Sequence, residues 1–572
     1  MNVSENKQNS ALGLRELNES TIDQLPTQVD LKALHSWDDQ DAWAIDKMTT
    51  WILPAISVPP VTGAITTSQK ALVSNGEGPV ALLRNLMKSS GIYAIASVAL
   101  PLVSLVLTPF LTHYLSPADY GILTILTTLI SLGAGITQLG LTSAFFRAYT
   151  YDYTSRQERS VVLSTVTILL CFISVTTAIV VIIMAPFLAN LLFGRPALGS
   201  LVALAAGVLL VQNLTVPGFA WLRAENHPLV YSLLSVCNLL ITLFTTIFLV
   251  AGLHLGIAGS LIATSSGYVC VMVCTIPFII RRAGISIRID IARSMLAFGL
   301  PLVLSFLSYW VLQLSDRYLL SLFGSLEQTA KYAVVYTLGS AMAVVVLGPF
   351  TLAWPTAVFA IAKRTDAALL FRLVFRWFGL SLLFAAFSLS LAGTFLLDQL
   401  FTVAYHSVAL IIPIVAVSNT FYGIYYVFTV GANVKRKTWL VGLFTALAAL
   451  INVILNLFLI PHYQAMGAAF STLLAYIALA AVAYIVNQRL YPIRFEIGVF
   501  VTALLVGITL YIASDFLAKG QQAFAAWGIR LCILGLYGGC LALLGKLLAR
   551  REDSARVALT QPLMGNWFRR PS

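Results

Sequence analysis

From position 89 to 548 the chain repeats one pattern: blocks of about 20 apolar residues separated by short polar connections. That is the length a helix needs to cross the hydrocarbon core of a bilayer. Fourteen such spans can be drawn, roughly at 90–112, 120–145, 161–184, 200–221, 230–250, 257–280, 295–321, 332–361, 374–396, 407–432, 439–460, 466–487, 497–514 and 524–546. The expected fold is therefore all-α, a polytopic membrane protein with about 14 transmembrane helices. Residues 1–88 break the pattern. Their most apolar stretch, Trp51 to Ile65, is too short to span and contains Pro54, Pro59 and Pro60. The tail has no basic segment followed by an apolar one, so it does not read as a cleavable signal peptide. It reads as a cytosolic extension, largely flexible, ending in an amphipathic lead around Leu82 to Lys88, with Trp37, Trp43 and Trp51 serving either an interaction or a partly ordered tail.

Composition narrows the class. The 572 residues are 59% hydrophobic and 10% charged, against about 25% charged in an ordinary soluble domain. A soluble enzyme and a disordered chain are both excluded. Residues 1–88 hold 10 acidic and 7 basic residues, so the remaining chain carries +15 of the formal +12. Cationic loops resist translocation and stay in the cytosol. Loops after even-numbered spans, with Arg376 at the adjoining start of the ninth, carry 17 Lys and Arg and loops after odd-numbered spans carry three, Arg195, Lys331 and Lys519. Both termini are expected in the cytosol, and a span dropped or added would scramble this contrast.

The chain also repeats itself. Leu100-Pro101-Leu102-Val103 in the first span recurs as Leu300-Pro301-Leu302-Val303 in the seventh, and Gly256-Ile257-Ala258-Gly259-Ser260 entering the sixth resembles Gly467-Ala468-Ala469-Phe470-Ser471 entering the twelfth. Both offsets equal six spans. Six is even, so the second copy re-enters with the same orientation, and the repeat is parallel with its axis along the membrane normal. The expected organisation is an N-lobe at 89–293 (spans one to six), a C-lobe at 294–490 (seven to twelve), an extra helix pair at 491–548 and a cytosolic tail at 549–572. The two lobes would enclose a central cavity. Pro101 and Pro301 sit at matching places in the first helix of each lobe, as static kinks or as gating hinges.

Three segments carry a family resemblance: THYLSPADYGIL at Thr112 to Leu123, GLTSAFFRAY at Gly140 to Tyr149, and GLPLVLSFLSYWVLQLSDRYLL at Gly299 to Leu320. With the twelve-span parallel repeat, they resemble the polysaccharide transporter branch of the multidrug/oligosaccharidyl-lipid/polysaccharide exporter superfamily, which contains the O-antigen flippases. The resemblance covers about residues 82–490. Spans thirteen and fourteen depart from that core, although fourteen spans also occur in the lipid II flippases of the superfamily. It implies a bacterial inner-membrane transporter with a polyprenyl-diphosphate-linked glycan as cargo, and with polysaccharide polymerase and chain-length machinery as further partners. Membrane lipids are the other expected partner, and nucleic acid is not one.

Such cargo needs cations for the diphosphate, polar groups for sugar hydroxyls and an apolar path for the lipid. Arginine meets phosphate oxygens bidentately. Arg147, closing the second span after Phe145 and Phe146, and Arg223, after the fourth, are expected either to capture the anionic head or to anchor the chain at the lipid surface. Asp316 is the one acidic residue placed inside any span, with Arg317 beside it. Arg317 is expected to contact the head or join an interlobe ion pair, and Asp316 to couple a proton or cation, to orient the arginine, or to serve structure. Asn213 in the fourth span and Asn419 with Tyr422 in the tenth occupy equivalent spans, as cavity groups reading sugar hydroxyls or as interhelical hydrogen bonds. Arg530, inside the fourteenth span, lies outside the repeat and suits a lipid headgroup or a partner.

Signals for chemistry are poor. All six cysteines fall in spans and act as small apolar residues. Cys270 and Cys274 are one turn apart without a Cys or His partner for zinc, and no phosphate-binding loop is present. No cofactor or metal is expected, and a transporter is expected rather than an enzyme. A cation-coupled multidrug exporter of the same superfamily is the alternative, although such exporters typically place a carboxylate in the first span, which has none here. A polysaccharide polymerase or ligase would carry a large external loop, and the longest such connection, about Ala185 to Gly199, is short and apolar.

Overall fold

The computed structural model describes residues 106–560 apart from 154, 226, 436 and 522. The N-terminal extension, most of the first span and Pro101 lie outside the described residues. Every regular element among those described is helical. Eleven helices are long and apolar enough to cross a bilayer, or twelve when Leu326–Gly339 and Ala343–Thr351, bent by 43°, are taken as one span. One of the eleven, Trp439–Leu490, is 52 residues long, about 78 Å of helix and more than twice the thickness of a hydrocarbon core. It is two spans. Gln464 leaves helical geometry at φ 49 and ψ −129, and Asn452 Nδ2 donates to Thr472 Oγ1 at 3.5 Å across 20 residues of sequence, which only a reversal of direction allows. The described helices thus supply the second to the fourteenth spans in the expected order, consistent with the count of fourteen.

Local sequence explains where these helices begin. Ser116 caps the second span (Pro117–Asp152), its Oγ accepting from Asp119 N at 3.1 Å, and Pro117 sits in the first turn, where its missing N–H costs nothing. Ser155 and Glu158 form a capping box at the start of the third span (Arg156–Ile183). Ser325 caps the eighth, accepting from Gln328 N at 3.1 Å. The connection after the third span folds into the short helix Ala185–Phe193 and the turn Pro196–Leu198. Large side chains such as Phe172, Ile183 and Phe248 remain exposed, as expected where lipid chains replace water as solvent.

Two expected spans are not continuous. The second breaks after Thr137, where Leu139 (φ 46) and Gly140 (φ 67) adopt left-handed geometry; it resumes as Leu141–Arg147 and ends in the π-turn Ala148–Asp152. A left-handed leucine costs about 1–2 kcal/mol, and the reason it persists is the neighbour across the break. A Cβ at Gly140 would stand 2.3 Å from Gly299 O, and one at Gly299 would stand 2.2 Å from Leu139 O. The two backbones touch because neither residue has a side chain. The eighth span bends around the π-turn Ala343–Leu347.

The contact at Gly140 belongs to a longer seam. The second span packs along the seventh (Ile289–Phe323) and eighth. At its start a Cβ on Gly121 would fall 2.1 Å from Leu326 O, and midway the Phe306 ring lies where a Gly135 side chain would be. Pro301, two residues past Gly299, is inside an otherwise continuous seventh helix. The second span therefore meets the seventh and eighth through glycines from one end to the other.

The last two spans (Ile497–Ala518 and Phe524–Leu548) lie against the ninth (Ala367–Leu400). Tyr537 is 1% exposed, with its ring 4.5 Å from Phe387 and its hydroxyl donating to Ala503 O at 3.0 Å. Trp527 meets Phe395 edge-on at 4.6 Å. At the other end of the ninth span, fully buried Arg376 makes a two-pronged ion pair with Glu496, Nε to Oε2 at 2.6 Å, which fixes the entry of the thirteenth span.

Candidate functional site

Four arginines gather with aromatic rings at the end of the seam where the second span closes. Arg147, half exposed, lies over the Phe298 ring of the seventh span at 4.9 Å and pairs with Asp152 at 3.4 Å. Arg223 lies over Phe146 at 4.8 Å, Arg159 over Tyr149 at 5.5 Å, and Arg282 over Trp221 at 5.3 Å. Tyr149 donates to Glu225, which also stands 3.9 Å from Arg282. The π-turn Ala148–Asp152 brings Asp152 back to Arg147, and the aromatic body beneath, with Leu141, Phe145 and Trp221, is one buried cluster. Burial pushes the nearby His227 imidazole below its ordinary value; Glu225 pulls it back and Arg282 adds to the depression. The result is a rim of cations held on ring faces and interleaved with the carboxylates of Asp152 and Glu225.

A second charged group lies further along the seventh span, toward its other end. Asp316 is 2% exposed and accepts from the Tyr332 hydroxyl of the eighth span. Arg317 lies over Tyr336 at 5.5 Å, and Tyr120 of the second span is within electrostatic range. Its buried Nε has no hydrogen-bond partner among the described residues. Asp316 and Arg317 do not form a side-chain ion pair with each other; successive residues point about 100° apart on a helix, and each turns to a different tyrosine.

Below this pair runs a column of tyrosines. Tyr332 and Tyr336 have ring centroids 5.6 Å apart. Tyr476 stacks on Tyr422 at 5.0 Å, and the Tyr422 and Tyr426 hydroxyls are 3.1 Å apart. Tyr309 of the seventh span is within electrostatic range of Tyr336, Tyr422, Tyr426 and Tyr476. The indole of Trp354 donates to Tyr426 O at 2.9 Å. Phenols on four spans thus meet inside the second half of the chain, a stack able to hydrogen-bond or to slide on sugar faces.

The asparagines divide. Asn213 is fully buried and donates to Thr137 Oγ1 at 2.6 Å, while Gln138 Nε2 donates to it at 3.2 Å, joining the fourth span (Pro196–Ala224) to the broken turn of the second. Asn419 bonds its own helix, Nδ2 to Val415 O at 2.9 Å. Tyr422 belongs to the phenol column. Arg147 rests on Phe298 and Arg223 on Phe146, the residue before Arg147, Arg317 stands on the same seam further along, and Pro101 is outside the described residues.

Sequence reasoning overlooked Tyr309, Tyr332, Tyr336 and Tyr476. The signal was present: Tyr332 with Tyr336 repeats the four-residue spacing of Tyr422 with Tyr426, which puts both pairs on one helix face. It also overlooked Arg159 and Arg282 as companions of Arg147 and Arg223, since each was counted only as loop charge.

Residues 86–358 match the model of a family described as polysaccharide biosynthesis protein. That stretch contains all three segments that carried the resemblance to the polysaccharide transporters, and it bears that resemblance out. A search of curated proteins returns no match. Among solved structures, the lipid II flippase MurJ in an inward closed conformation superposes with a TM-score of 0.63 at 16% identity, covering 83% of this chain and 100% of that one. An inward-facing MATE multidrug resistance transporter of the MOP superfamily gives 0.52 at 17% identity over 69% of this chain and 97% of that one. The MATE transporter VcmN of Vibrio cholerae gives 0.52 at 18%, over 72% and 97%. At these identities the likeness is one of fold: the protein is a multi-pass membrane protein with the helical architecture of these transporters.

Proposed function

We propose that the chain is a flippase that moves a polyprenyl-diphosphate-linked oligosaccharide across the bacterial cytoplasmic membrane for O-antigen, capsule or exopolysaccharide synthesis. The observation that carries this reading is the line of cations along the seam of the second and seventh spans. Arg147 over Phe298 and Arg223 over Phe146 stand at one end, and Arg317, with an unpartnered buried Nε, stands further along. The family match and the flippase fold support it. With the arginine-rich loops in the cytosol and both termini there, the Arg147 rim receives the diphosphate. The phenol column at Tyr309, Tyr336, Tyr422 and Tyr476 then offers rings and hydroxyls to the glycan, and Arg317 meets the head group on its way out. Pro301, with Pro101, serves as the hinge, and Asn419 lies beside the column.

The chain spans the membrane many times, and nothing in the reading requires it to break a bond. The test is to delete the gene and measure, with side-specific labelling and mass spectrometry, where polyprenyl-diphosphate glycans accumulate. Build-up of the completed repeat unit on the cytosolic face, relieved by restoring the chain, is expected; unchanged levels and sidedness would remove the reading. A second reading, cation-coupled export of small molecules, is favoured by one observation, the buried Asp316 hydrogen-bonded by Tyr332. It predicts dye efflux that collapses with the ion gradient and in Asp316→Asn, with glycan sidedness untouched.

A further inference from the structure

The two halves of the chain are joined by residues 284–288, between the end of the sixth span (Gly256–Ala283) and the start of the seventh. Gly284 leaves the sixth helix at φ 67, and Arg288 enters the seventh in extended geometry. Between them the backbone is tied to the third span. Ser164 Oγ donates to Gly284 O at 3.1 Å and accepts from Ser286 N at 2.8 Å, and Thr165 Oγ1 accepts from Arg288 N at 3.3 Å. Both hydroxyl residues are buried. Ser164 lies well beyond the start of the third helix at Arg156, about 12 Å along it, and past Val161, where the apolar block begins. The connection is therefore held at the edge of the hydrocarbon rather than clear of the membrane surface.

Its side chains suit that depth. Ile285 and Ile287 share one side of the extended segment, because alternate residues point the same way, and Ile289 follows in the first turn of the seventh helix. All three are exposed, at 78%, 52% and 79%. Arginines bracket this aliphatic row. Arg282 rests on Trp221 and stands 3.9 Å from Glu225, and Arg288 pairs with Asp290. Arg281 and Arg293 are exposed and make no ion pair among the described residues. Arg293 stands one turn beyond Ile289, on the same face of the helix.

We propose that this connection is a membrane-surface anchor: Ile285, Ile287 and Ile289 insert at the boundary of headgroups and acyl chains, and Arg281 and Arg293 take the phosphates of anionic phospholipids. Two observations choose a lipid surface over a protein partner. The bonds to Ser164 and Thr165 hold the row at hydrocarbon level, where a soluble partner does not reach, and they satisfy backbone groups that lipid could not. Aliphatic side chains flanked by arginines are also the composition of segments that lie in an anionic interface. The anchor fixes the depth of the covalent junction between the two halves. The assignment is independent of the cargo, and its failure leaves the flippase reading untouched.

The test places a fluorophore at Ile287→Cys in the full chain, with the six native cysteines replaced, reconstituted in lipid nanodiscs. A label at Phe172→Cys, exposed in the middle of the third span, sets the value for full lipid contact. A nitroxide on the acyl chain next to the headgroup should quench the Ile287 label strongly, and iodide in the water should barely quench it. At low salt the nitroxide carried on phosphatidylglycerol should be enriched at the label by about fivefold over the same nitroxide on phosphatidylcholine, the scale of one basic residue at an anionic surface. Arg281→Gln with Arg293→Gln should bring the two lipids together. All three substituted side chains are exposed, so the variants keep the fold. Iodide quenching equal to that of free dye overturns the anchor and marks a face open to a soluble protein. Equal quenching by the two lipids, or a preference that survives the loss of both arginines, overturns the headgroup assignment.

Discussion

A single methyl group at Gly299 should pry the seam open. Its Cβ would stand 2.2 Å from Leu139 O, where ordinary contact begins at 3.4 Å, so at least about 1.2 Å of separation is needed. Both contacting groups are backbone, and no rotamer change relieves the clash. Overpacking of this kind costs about 1–3 kcal/mol, which shifts the ratio of closed to open seam by roughly 5- to 150-fold. Spin labels at the exposed positions Tyr151 and Ile289, which flank the arginine-rich end on the second and seventh spans, read the separation directly by pulsed dipolar spectroscopy after the six native cysteines are replaced. Gly299→Ala should move a large fraction of the distance distribution to longer values. Gly498→Ala, where an added Cβ meets nothing within 4 Å, should leave it unchanged. A Gly299→Ala protein that is folded and has the parent distribution would falsify the view that this backbone contact holds the seam.

Other perturbations test separate parts. Arg147→Ala and Arg317→Ala should each lower glycan transport by about tenfold or more, the scale of one charge-assisted hydrogen bond, with insertion unaffected; full activity in both removes the cationic capture. Arg376→Ala strands Glu496 against the core and should lower stability by about 3–5 kcal/mol, read as a fall in melting temperature in detergent; an unshifted melting curve refutes the clamp. Asn213→Leu should lower stability by about 1 kcal/mol through the lost bond to Thr137; a transport defect with an unchanged melting temperature would instead make Asn213 a cargo contact. His227 is depressed by burial, so the stability it contributes is present above its unfolded value of about 6.5 and is lost as pH falls through the lower folded value. The loss of thermal stability between neutral pH and about pH 5 should be smaller in His227→Gln than in wild type, and identical losses would show that this imidazole does not report folding.

Much of the architecture was legible because lipid makes the rule simple: a long apolar block must be a helix, and the described helices fall in the order of the expected blocks even where one helix hides two spans. The caps at Ser116, Ser155 and Ser325 could be read in the same way from Ser followed three residues later by a polar partner. The break at Leu139 could not. Nothing in the apolar run around it signals a left-handed turn except Gly140, and what stabilises that turn is Gly299, distant in sequence and brought in only by the fold. The candidate site followed suit. Arg147, Arg223 and Arg317 stood out as charges in unusual places, but which rings they rest on depends on tertiary packing. The phenol column needed four helices to assemble before its members had anything in common.

The ring over Arg147 comes from the far side of the seam. Phe298 belongs to the seventh span, whereas the ring under Arg223, Phe146, is on the same half of the chain as Arg223 itself. Were the halves to part as the proposed cycle requires, Phe298 would withdraw while Phe146 stayed on Arg223, so the Arg147 guanidinium would gain a bare face without any change of protonation. A face of this kind is worth about 0.5–1 kcal/mol to its ring at an exposed site, enough for a few-fold difference in affinity for an anion. On the proposed transport cycle the molecule would thus carry a charge whose availability is set by geometry alone, strongest toward an anion when the seam is open and partly masked once it closes.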